Sequence, residues 1–361
     1  MRPFLPIFSF LTLAVSATPA AAQIEGIYFE HRDWVVACDN TRTCRAAGYQ
    51  AEDYAAETPA PPVSLLLTRK AGAGEPVGAE LSVVPEDGQD PMAGALTLRI
   101  NGRDRGKADV NRENGTATLS RAQTGALLDA LSRDSEIEAV ADDGQRWVLS
   151  DDGASAVLLK MDEFQGRLNT PGALARRGDR NEAEVLPAVP ALAVHIPELV
   201  VTRPGDARLS TSAALRAALR ATAFGEDESC DILLSDEKQP LTVERVSDDK
   251  LLVSTPCQSG AYNQSIGFWT VDEGAPDRPQ LVTTSASGFE KGRIWAAHKG
   301  RGLGDCWFTA AWSWDGERFV QTEEATTGLC RGFAGGAWRM PTLVSDVQPD
   351  PGRPQPHRSF D

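Results

Sequence analysis

Residues 33–49 read DWVVACDNTRTCRAAGY and contain the clearest folding signal of the chain. Trp34, Val36 and Cys38 alternate onto one face, which is the two-residue period of a β-strand. The Asp-Asn-Thr that follows favours a turn, because Asp and Asn side chains bond their own backbone. A second strand-like run then starts at Cys44. These residues predict a β-hairpin whose strands are joined by a short disulfide.

The six cysteines form three close groups along the chain. They are Cys38 and Cys44, Cys230 and Cys257, and Cys306 and Cys330. An even number in an oxidising compartment predicts disulfides, and the grouping favours the pairs 38–44, 230–257 and 306–330. The alternatives for the first pair are a redox motif, which usually has two intervening residues, and a zinc site, which needs about four ligands. We expect disulfides, no metal and no cofactor.

Residues 1–22, MRPFLPIFSFLTLAVSATPAAA, have the layout of a secretory signal peptide. Arg2 precedes an apolar run that ends at Val15, and the alanines after it provide an A-x-A cleavage site. The run is shorter than the ~20 residues of a membrane span, and a retained anchor is the alternative. We expect a mature chain from about Gln23 that is periplasmic or secreted and has no transmembrane segment.

The chain is acidic, with 51 Asp and Glu against 36 Lys and Arg and a net charge of −15. This charge argues against nucleic acid or an anionic membrane as a partner. It favours a cationic partner, such as a periplasmic protein, or it serves solubility alone. The sequence does not indicate an oligomeric state.

Residues 23–180 form the first predicted domain, which is β-rich and sandwich-like. Alternating apolar runs separated by Gly and Asp-Gly turns predict successive strands, and they continue through residues 135–163. Ser120 precedes a segment with leucines on one face, so a helix capped by that serine is predicted. Thr170, followed by a proline, predicts a further short helix that stops at Gly178.

A connector with three prolines, residues 181–198, separates the two halves. The second predicted domain, residues 199–346, opens with an alanine-rich helix. Strand-like runs, the first being CDILLS from residue 230, then recur about every 8–12 residues and predict an antiparallel meander or a barrel-like fold. The Pro-rich tail, residues 347–361, is predicted to be disordered. The predicted fold class is therefore mainly β with a few short helices (α+β).

The sequence contains no nucleophile elbow, HExxH helix, Walker loop or EF-hand pattern, so we predict no catalytic residue. One loop has the composition of a binding surface. In CQSGAYNQS, Tyr262, Asn263 and Gln264 combine a rigid aromatic ring with adaptable amides. The alternative is a tight turn whose tyrosine packs on the sheet.

A second candidate surface lies around GRGLGDCW, where tryptophans cluster near an arginine. Arg301, Trp307 and Trp314 have the composition of an interface anchor. The same residues are also typical of a small β core, in which large aromatics are buried. Both interpretations stay open at the level of sequence.

Several stretches together resemble one bacterial envelope family, the family of unknown function numbered 1176. They are the hairpin above, DDGASAVLLKMDEFQGR, CQSGAYNQS, and KGRGLGDCWFTAAWSWDGERF with CRG at 330–332. They occur in the family's order and cover nearly the whole predicted mature chain. The resemblance implies a secreted protein with six cysteines, and no activity comes with it. The first half also resembles the invasion-associated locus B family in its W-x-V-x-C start at Trp34–Cys38, which implies a β-sandwich without known catalytic residues.

These features favour a non-enzymatic binding or envelope-interaction protein, because loops on a rigid scaffold often carry recognition. One alternative is an inhibitor of a cationic wall hydrolase such as lysozyme. It rests on the acidic charge and on Ser-Gly-Ala-Tyr at 259–262, which resembles one family of periplasmic lysozyme inhibitors. A second alternative is an envelope hydrolase whose site is assembled from distant residues. A third is a purely structural envelope factor with a flat apolar patch.

Overall fold

The computed structural model describes residues 24–52, 60–85, 94–223, 229–235 and 239–349. The predicted signal peptide lies outside this part of the chain. Strands predominate over helices, and every described strand pair except one is antiparallel, which confirms the mainly β fold class. Within the described ranges, no helix has the length and apolar character needed to cross a membrane.

The elements are numbered in chain order. The first half contains β1 Ile27–His31, β2 Trp34–Cys38, β3 Cys44–Tyr49, β4 Val63–Arg69, β5 Val77–Val83, β6 Ala95–Ile100, β7 Arg103–Asp109, β8 Thr116–Thr118, β9 Ile137–Ala141 and β10 Arg146–Leu149. The second half contains β11 Leu192–Ile196, β12 Thr242–Arg245, β13 Lys250–Ser259, β14 Gln264–Asp272, β15 Ala275–Ala286, β16 Gly288–Glu290, β17 Arg293–Lys299, β18 Trp307–Trp314, β19 Phe319–Thr326 and β20 Met340–Pro349. The helices are α1 Arg121–Ala130, α2 Ala154–Phe164, α3 Ala213–Thr222 and α4 Asp231–Ser235, with 3-10 turns at Glu182–Glu184 and Asp206–Thr211.

The predicted hairpin is formed by β2 and β3, with Cys38 opposite Cys44 and a disulfide between them. Asp39 organises the turn, because its Oδ1 accepts hydrogen bonds from the backbone N–H of Thr41 at 2.9 Å and of Thr43 at 3.2 Å. Such a short closed loop stabilises the fold by only about 2 kcal/mol in the chain-entropy description. The disulfide therefore fixes a turn that the Asp39 side chain already favours.

The first half is a sandwich of two antiparallel sheets. One has the strand order β1-β2-β3-β4-β5-β8 and the other β10-β9-β6-β7. One apolar core unites the two sheets with α1 and α2, and its buried members include Trp34, Leu65, Leu98, Leu127 and Trp147. The alternation of apolar residues along the strands predicts this arrangement, since it places every second side chain on the core face.

Helix α1 lies where the sequence predicts it, and α2 does not. Ser120 caps α1 by accepting from the backbone of Gln123, whose side chain accepts in return from the Ser120 N–H at 2.8 Å. The segment of α2 was predicted as a strand, and that prediction was wrong. Its buried side chains Val157, Leu158 and Met161 recur at helical spacing, so they cover one face of a helix that packs on the core.

The helix predicted from Thr170 to Gly178 does not form; this part of the described chain consists of turns. The carboxylate of Asp162 in α2 accepts hydrogen bonds from the backbone N–H groups of Leu174 at 2.7 Å and Ala175 at 2.9 Å. Those N–H groups are thus satisfied without helical carbonyl partners. The local signals of a helix start and stop are overridden by a side chain from another element.

The second half also consists of two sheets, with the orders β12-β13-β14-β15 and β11-β20-β19-β18-β17-β16. Leu252 and Phe268 of the first sheet share a core with Ile294 and Trp314 of the second. The other face of the four-stranded sheet packs against α3 and α4. Consecutive strands are neighbours in both sheets, which confirms the predicted antiparallel meander, and the described strands do not close into a barrel.

Some segments of the second half differ from their prediction. CDILLS, predicted as a strand, contains the five-residue helix α4, which the Cys230–Cys257 disulfide ties to β13. The predicted connector contains β11, which pairs in parallel with β20. Strand β20 extends to Pro349 and takes in the first residues of the predicted tail, because the edge of β11 offers its backbone hydrogen-bond partners. Residues 350–361 of that tail lie outside the described ranges.

The halves meet in a further core, which we call the junction core. Its buried members are Val35, Ala37, Ala47, Tyr49, Leu66, Phe333, Trp338 and Met340. Polar contacts surround it: Trp338 Nε1 donates to Ser64 Oγ at 2.7 Å, and Arg331 pairs with Asp33 at 3.0 Å. The segment between β19 and β20 is therefore anchored on the outer face of β2, β3 and β4, while the domain boundaries at residues 181–198 stay a prediction.

Candidate functional site

Four of the six predicted binding residues lie together in the second half. The turn between β13 and β14 meets the loop between β17 and β18, residues 300–306. We define the loop surface by the residues Tyr262, Asn263, Lys299, Arg301, Leu303 and Trp307.

The contact between the two hairpins is made by the side-chain amide of Asn263. Its Nδ2 donates to the carbonyl of Lys299, and its Oδ1 accepts from the Lys299 backbone N–H, both at 2.9 Å. These two hydrogen bonds resemble the pairing between neighbouring β-strands. It places the ring of Tyr262 against Gly302, where a Cβ would stand 3.5 Å from the ring, and leaves the ring 50% exposed.

The 300–306 loop is closed at its base. Gly300 donates its N–H to the carbonyl of Cys306 at 2.9 Å, and the Cys306–Cys330 disulfide joins the loop to the segment that enters the junction core. Gly300 has no room for a side chain, because a Cβ there would lie 2.6 Å from Cys306 Sγ. A disulfide of this span stabilises the folded state by about 3 kcal/mol in the chain-entropy description.

A buried carboxylate braces the loop from inside. Asp305 is 1% exposed and receives both arms of the Arg301 guanidinium, with Nε at 2.8 Å from Oδ1. Gly332 donates its N–H to the other oxygen at 2.7 Å. Burial by itself raises the pKa of the Asp305 carboxyl, but the Arg301 guanidinium and the Gly332 N–H outweigh it and hold the pKa below its ordinary value. Arg301 is thus a brace of the loop as well as a surface residue.

Trp307 adds a further contact that holds the 300–306 loop in place, and Leu303 extends from this loop into solvent. The indole Nε1 of Trp307 donates to the carbonyl of Gly304 at 3.0 Å, and Lys299 Nζ lies 5.5 Å from the ring centroid, within cation–π range. Leu303, between these contacts, is 72% exposed. The loop surface therefore presents two apolar side chains, Leu303 and Tyr262, beside cationic groups.

Two predicted binding residues, Trp314 and Gln264, do not belong to the loop surface. Trp314 is fully buried between the two sheets of the second half, with its ring 5.3 Å from Phe319, so its assignment to a binding surface is corrected to the β core that the sequence also allowed. Its position on β18 explains this, because side chains an odd number of residues from Trp307 point to the opposite face. Gln264 is exposed where β14 begins opposite Ser259.

Sequence reasoning did not identify Lys299, Leu303 or Asp305 as members of the site. The signal for Leu303 is present in the sequence, since a leucine between two glycines in GRGLGDC cannot be buried by its immediate neighbours. Asp305 carries no such signal, because its role depends on Arg301 and on Gly332, which lies 27 residues away. Contacts of that kind come only with the tertiary fold.

Within the described ranges, one group of three potential metal ligands is close together: Asp305, Cys306 and Cys330, with ligand atoms within 4.8 Å of one another. Both sulfurs belong to a disulfide and neither is a thiolate, which is the form that binds metal. The Asp305 carboxylate is also occupied by Arg301. This group therefore does not form a metal site. All six cysteines are in the three pairs that their grouping predicts.

Another strongly charged cluster of the second half is structural. Arg245 is fully buried and binds Asp206 through Nη2 at 2.6 Å and Nε at 3.0 Å, with Glu273 as a further partner at 3.0 Å. Hydrogen bonding to Arg245 lowers the pKa of Asp206. The cluster ties a 3-10 turn to β12 and leaves no free acid or base beside a cleft.

The fold and the loop surface define a disulfide-stapled, mainly β protein with a braced, exposed aromatic loop. The chain belongs to the family described as protein of unknown function DUF1176, which it matches over residues 28–345. The likeness to invasion-associated locus B proteins remains a prediction from the sequence.

One curated protein and one solved structure align with the chain. Uncharacterized protein YpfG of Escherichia coli strain K12 is 31% identical over 206 residues, which are 52% of this chain and 57% of that protein. The aligned region thus spans little more than half of the relative's length. The crystal structure of an endo-arabinase from Bacteroides thetaiotaomicron VPI-5482 aligns over 90% of this chain and 95% of its own at 10% identity, with a TM-score of 0.11, and carries no structural argument.

Proposed function

We propose that this protein is a non-enzymatic binding protein of the extracytoplasmic space, and that its loop surface docks a protein partner. The observation that carries the proposal is Leu303, which is 72% exposed on a loop held by a disulfide, a buried ion pair and an indole hydrogen bond. An exposed leucine on a mobile loop does not by itself indicate a binding site. Exposed leucine on a braced loop is preorganised, so little conformational entropy is lost when a partner covers it.

Tyr262 supports the same proposal. Its ring is half exposed and is held against Gly302 by the Asn263–Lys299 contact. Tyrosine offers a large contact area with few rotatable bonds, and such residues are frequent binding hot spots. Together, Leu303 and Tyr262 give the partner two fixed apolar anchors.

The disulfides support the proposed compartment. Three disulfides join all six cysteines, which is compatible with an oxidising, extracytoplasmic environment. The predicted cleavage near Gln23 and a periplasmic location are part of the proposal.

The charge at the loop surface indicates which kind of partner surface would be complementary to it. Lys299 places one cationic group at the edge of the loop surface, whereas the charge of Arg301 is balanced by Asp305 and the whole chain carries −15. The partner surface we propose is apolar at its centre and acidic at its rim, since electrostatic complementarity fixes orientation and association rate. The inhibitor alternative places a cationic wall hydrolase here; the exposed turn at residues 259–262 favours it, and the basic edge opposes it.

The test is affinity capture from an extract of the extracytoplasmic fraction, with the mature chain as bait and mass spectrometry as the readout. Leu303→Asp is the test variant, because it replaces an apolar anchor without touching the brace. Leu159→Asp is the matched control, since Leu159 is an exposed leucine, 42% accessible, on α2 of the other half. We expect one protein to be retained by the wild type and by Leu159→Asp, and to fall at least tenfold with Leu303→Asp.

Equal recovery of the partner by Leu303→Asp and Leu159→Asp would contradict the proposal that the partner docks on the loop surface. Lysozyme at low salt is included as a defined probe. Retention of lysozyme that Leu303→Asp abolishes favours the inhibitor alternative over an acidic-rimmed partner.

A further inference from the structure

A hollow of about 460 Å³ lies in the first half, far in sequence from the loop surface. It is formed by the β6–β7 turn, one face of β7 and the C-terminal end of α1. Its lining residues are Ile100, Asn101, Arg103, Arg105, Ala126, Asp129, Ala130, Arg133 and Ser135. All of them belong to the described ranges, and we call this site the arginine hollow.

The hollow exists because two elements meet with little side-chain volume between them. Ala126 and Ala130 lie four residues apart, on one face of α1, and each contributes only a methyl group. Arg103 and Arg105 lie two residues apart on β7, beside an irregularity in the β6–β7 pairing, and both line the hollow. Gln123 joins the elements by donating to the carbonyl of Gly106 at 3.0 Å.

Two of the three guanidinium groups have no partner in the described structure. Neither the Arg103 nor the Arg105 side chain takes part in a hydrogen bond or an ion pair there, and both residues are exposed. Arg133 donates through Nε to the carbonyl of Asp129 at 3.2 Å, which leaves its remaining N–H groups available. The hollow thus offers guanidinium donors that the protein does not use itself.

The charge of the hollow is opposite to the charge of the chain. Among the lining side chains there are three arginines and one carboxylate, Asp129, which also lies 3.8 Å from Arg177. A second carboxylate, Asp151, lies beside the lining, where its Oδ2 accepts from the Ser135 N–H at 2.8 Å. The C-terminal end of α1 adds about half a negative charge. The sum over the lining side chains and this helix end is still positive, about +1.5. In a chain with 51 acidic residues and a net charge of −15, a hollow lined by three arginines is locally complementary to an anion.

We propose that the arginine hollow binds a ligand bearing a phosphate group. Guanidinium groups donate paired hydrogen bonds that match phosphate oxygens, and a phosphate monoester dianion balances the excess charge better than one carboxylate does. The volume of the hollow exceeds that of a phosphate ion alone, so it has room for the rest of a phosphorylated ligand. Asn101 and Ser135 are the further polar residues of the lining; Asn101 Nδ2 donates to Ser135 Oγ at 3.5 Å and Asn101 Oδ1 accepts from the Glu136 N–H at 2.9 Å.

Phosphate chemistry of this kind has two sources, a free phosphorylated metabolite and a phospholipid headgroup. The acidic chain as a whole disfavours adsorption to an anionic membrane. A single basic hollow, however, can hold one headgroup without adsorption of the whole surface. The experiment therefore uses both glycerol 1-phosphate and vesicles that contain phosphatidylglycerol.

The test is isothermal titration of the intact protein with pyrophosphate and with glycerol 1-phosphate at low ionic strength, followed by flotation with the vesicles. The test variants are Arg105→Gln and Arg103→Gln, whose side chains are exposed and support no other contact. Arg278→Gln is the matched control, because Arg278 is an exposed arginine on β15 of the second half. We expect at least a tenfold weaker affinity in each test variant, no change in the control, and weaker binding as salt increases.

Binding of the soluble phosphates alone, dependent on Arg105, identifies a metabolite site. Arg105-dependent flotation identifies a headgroup site. No detectable binding of any of the three probes to the wild type overturns the proposal, and so does an equal loss in Arg105→Gln and Arg278→Gln. Circular dichroism of each variant confirms that the fold is retained.

Discussion

Gly328 illustrates how a single residue limits what the junction core accepts. Its φ is +87°, in the left-handed region, and a Cβ at this position would stand 1.9 Å from the hydroxyl of buried Tyr49. We expect Gly328→Ala to lower the free energy of unfolding by about 2–4 kcal/mol, because backbone strain and overpacking act together. Denaturant unfolding measures this loss.

The matched control for that change is Gly335→Ala. Gly335 has a similar φ of +79°, but nothing lies within 4 Å of its Cβ position. It should lose only the conformational part, about 1 kcal/mol. Equal losses in the two variants would show that the contact with Tyr49 is not limiting.

Asp305 gives the loop surface a pH dependence whose direction follows from its partners. Its pKa in the folded state lies below the ordinary value, because the ion pair with Arg301 and the Gly332 N–H favour the charged form. A depressed folded-state pKa adds stability that is present above the unfolded pKa of about 4 and is lost as the pH falls through the folded pKa. We expect Asp305→Asn to be less stable at pH 7 by about 1–2 kcal/mol, in the range of a hydrogen bond to a charged group.

Below about pH 4 the difference between the wild type and Asp305→Asn should shrink, since the carboxyl of the unfolded wild type takes up a proton there, whereas the folded one does so only at a lower pH. Urea unfolding at a series of pH values between about 3 and 7 measures the stability difference between the two proteins both above and below pH 4. Asp277→Asn serves as the control, because Asp277 is an exposed residue on β15. A constant difference between wild type and Asp305→Asn over the whole series would show that this carboxyl does not titrate as described.

At the scale of single elements, hairpins are predictable from sequence because their signals are local. The β2–β3 hairpin needs only alternation and an Asp-Asn turn, and both lie within residues 33–49. Helix α1 is equally local, since Ser120 and its capping partner are three residues apart. In these places the local sequence agrees with the final fold.

The missed elements share a different cause. The five residues of α4 are too few for a helical period to appear, and the disulfide at Cys230 holds them in place. The 170–178 segment depends on the carboxylate of Asp162, which is supplied by α2. In both cases a tertiary contact decides the local conformation, and a window of sequence does not contain that contact.

The candidate site likewise has one part that the local sequence predicts and another that depends on tertiary contacts. Tyr262 and Asn263 are predictable as surface-turn residues, because small polar residues surround them. Their meeting with the 300–306 loop depends on the Asn263–Lys299 contact between residues 36 positions apart. The arginine hollow depends likewise on α1 lying against β7, and the sequence alone gives no reason to group Arg103 with Arg133.

At the scale of the whole molecule, the junction core decides whether the halves behave as separate units. The domains predicted on either side of residues 181–198 have their own cores, yet both also contribute to the junction core. The Cys306–Cys330 disulfide extends this coupling to the loop surface, because it joins the 300–306 loop to the segment that enters that core. The 300–306 loop and the first half are therefore connected through covalent and packing contacts.

The last prediction follows from that connection and concerns cooperativity. Trp338 is buried in the junction core and donates to Ser64 of β4, so it contributes packing and a hydrogen bond between the halves. We expect the wild type to unfold in one calorimetric transition and Trp338→Ala to unfold in two, with a loss of about 3–5 kcal/mol at the junction. Leu98→Ala, a change within the core of the first half, should lower the single transition without dividing it. Two transitions in the wild type would show that the halves are independent despite their contact, and one in Trp338→Ala would place the coupling in the Arg331 ion pairs instead.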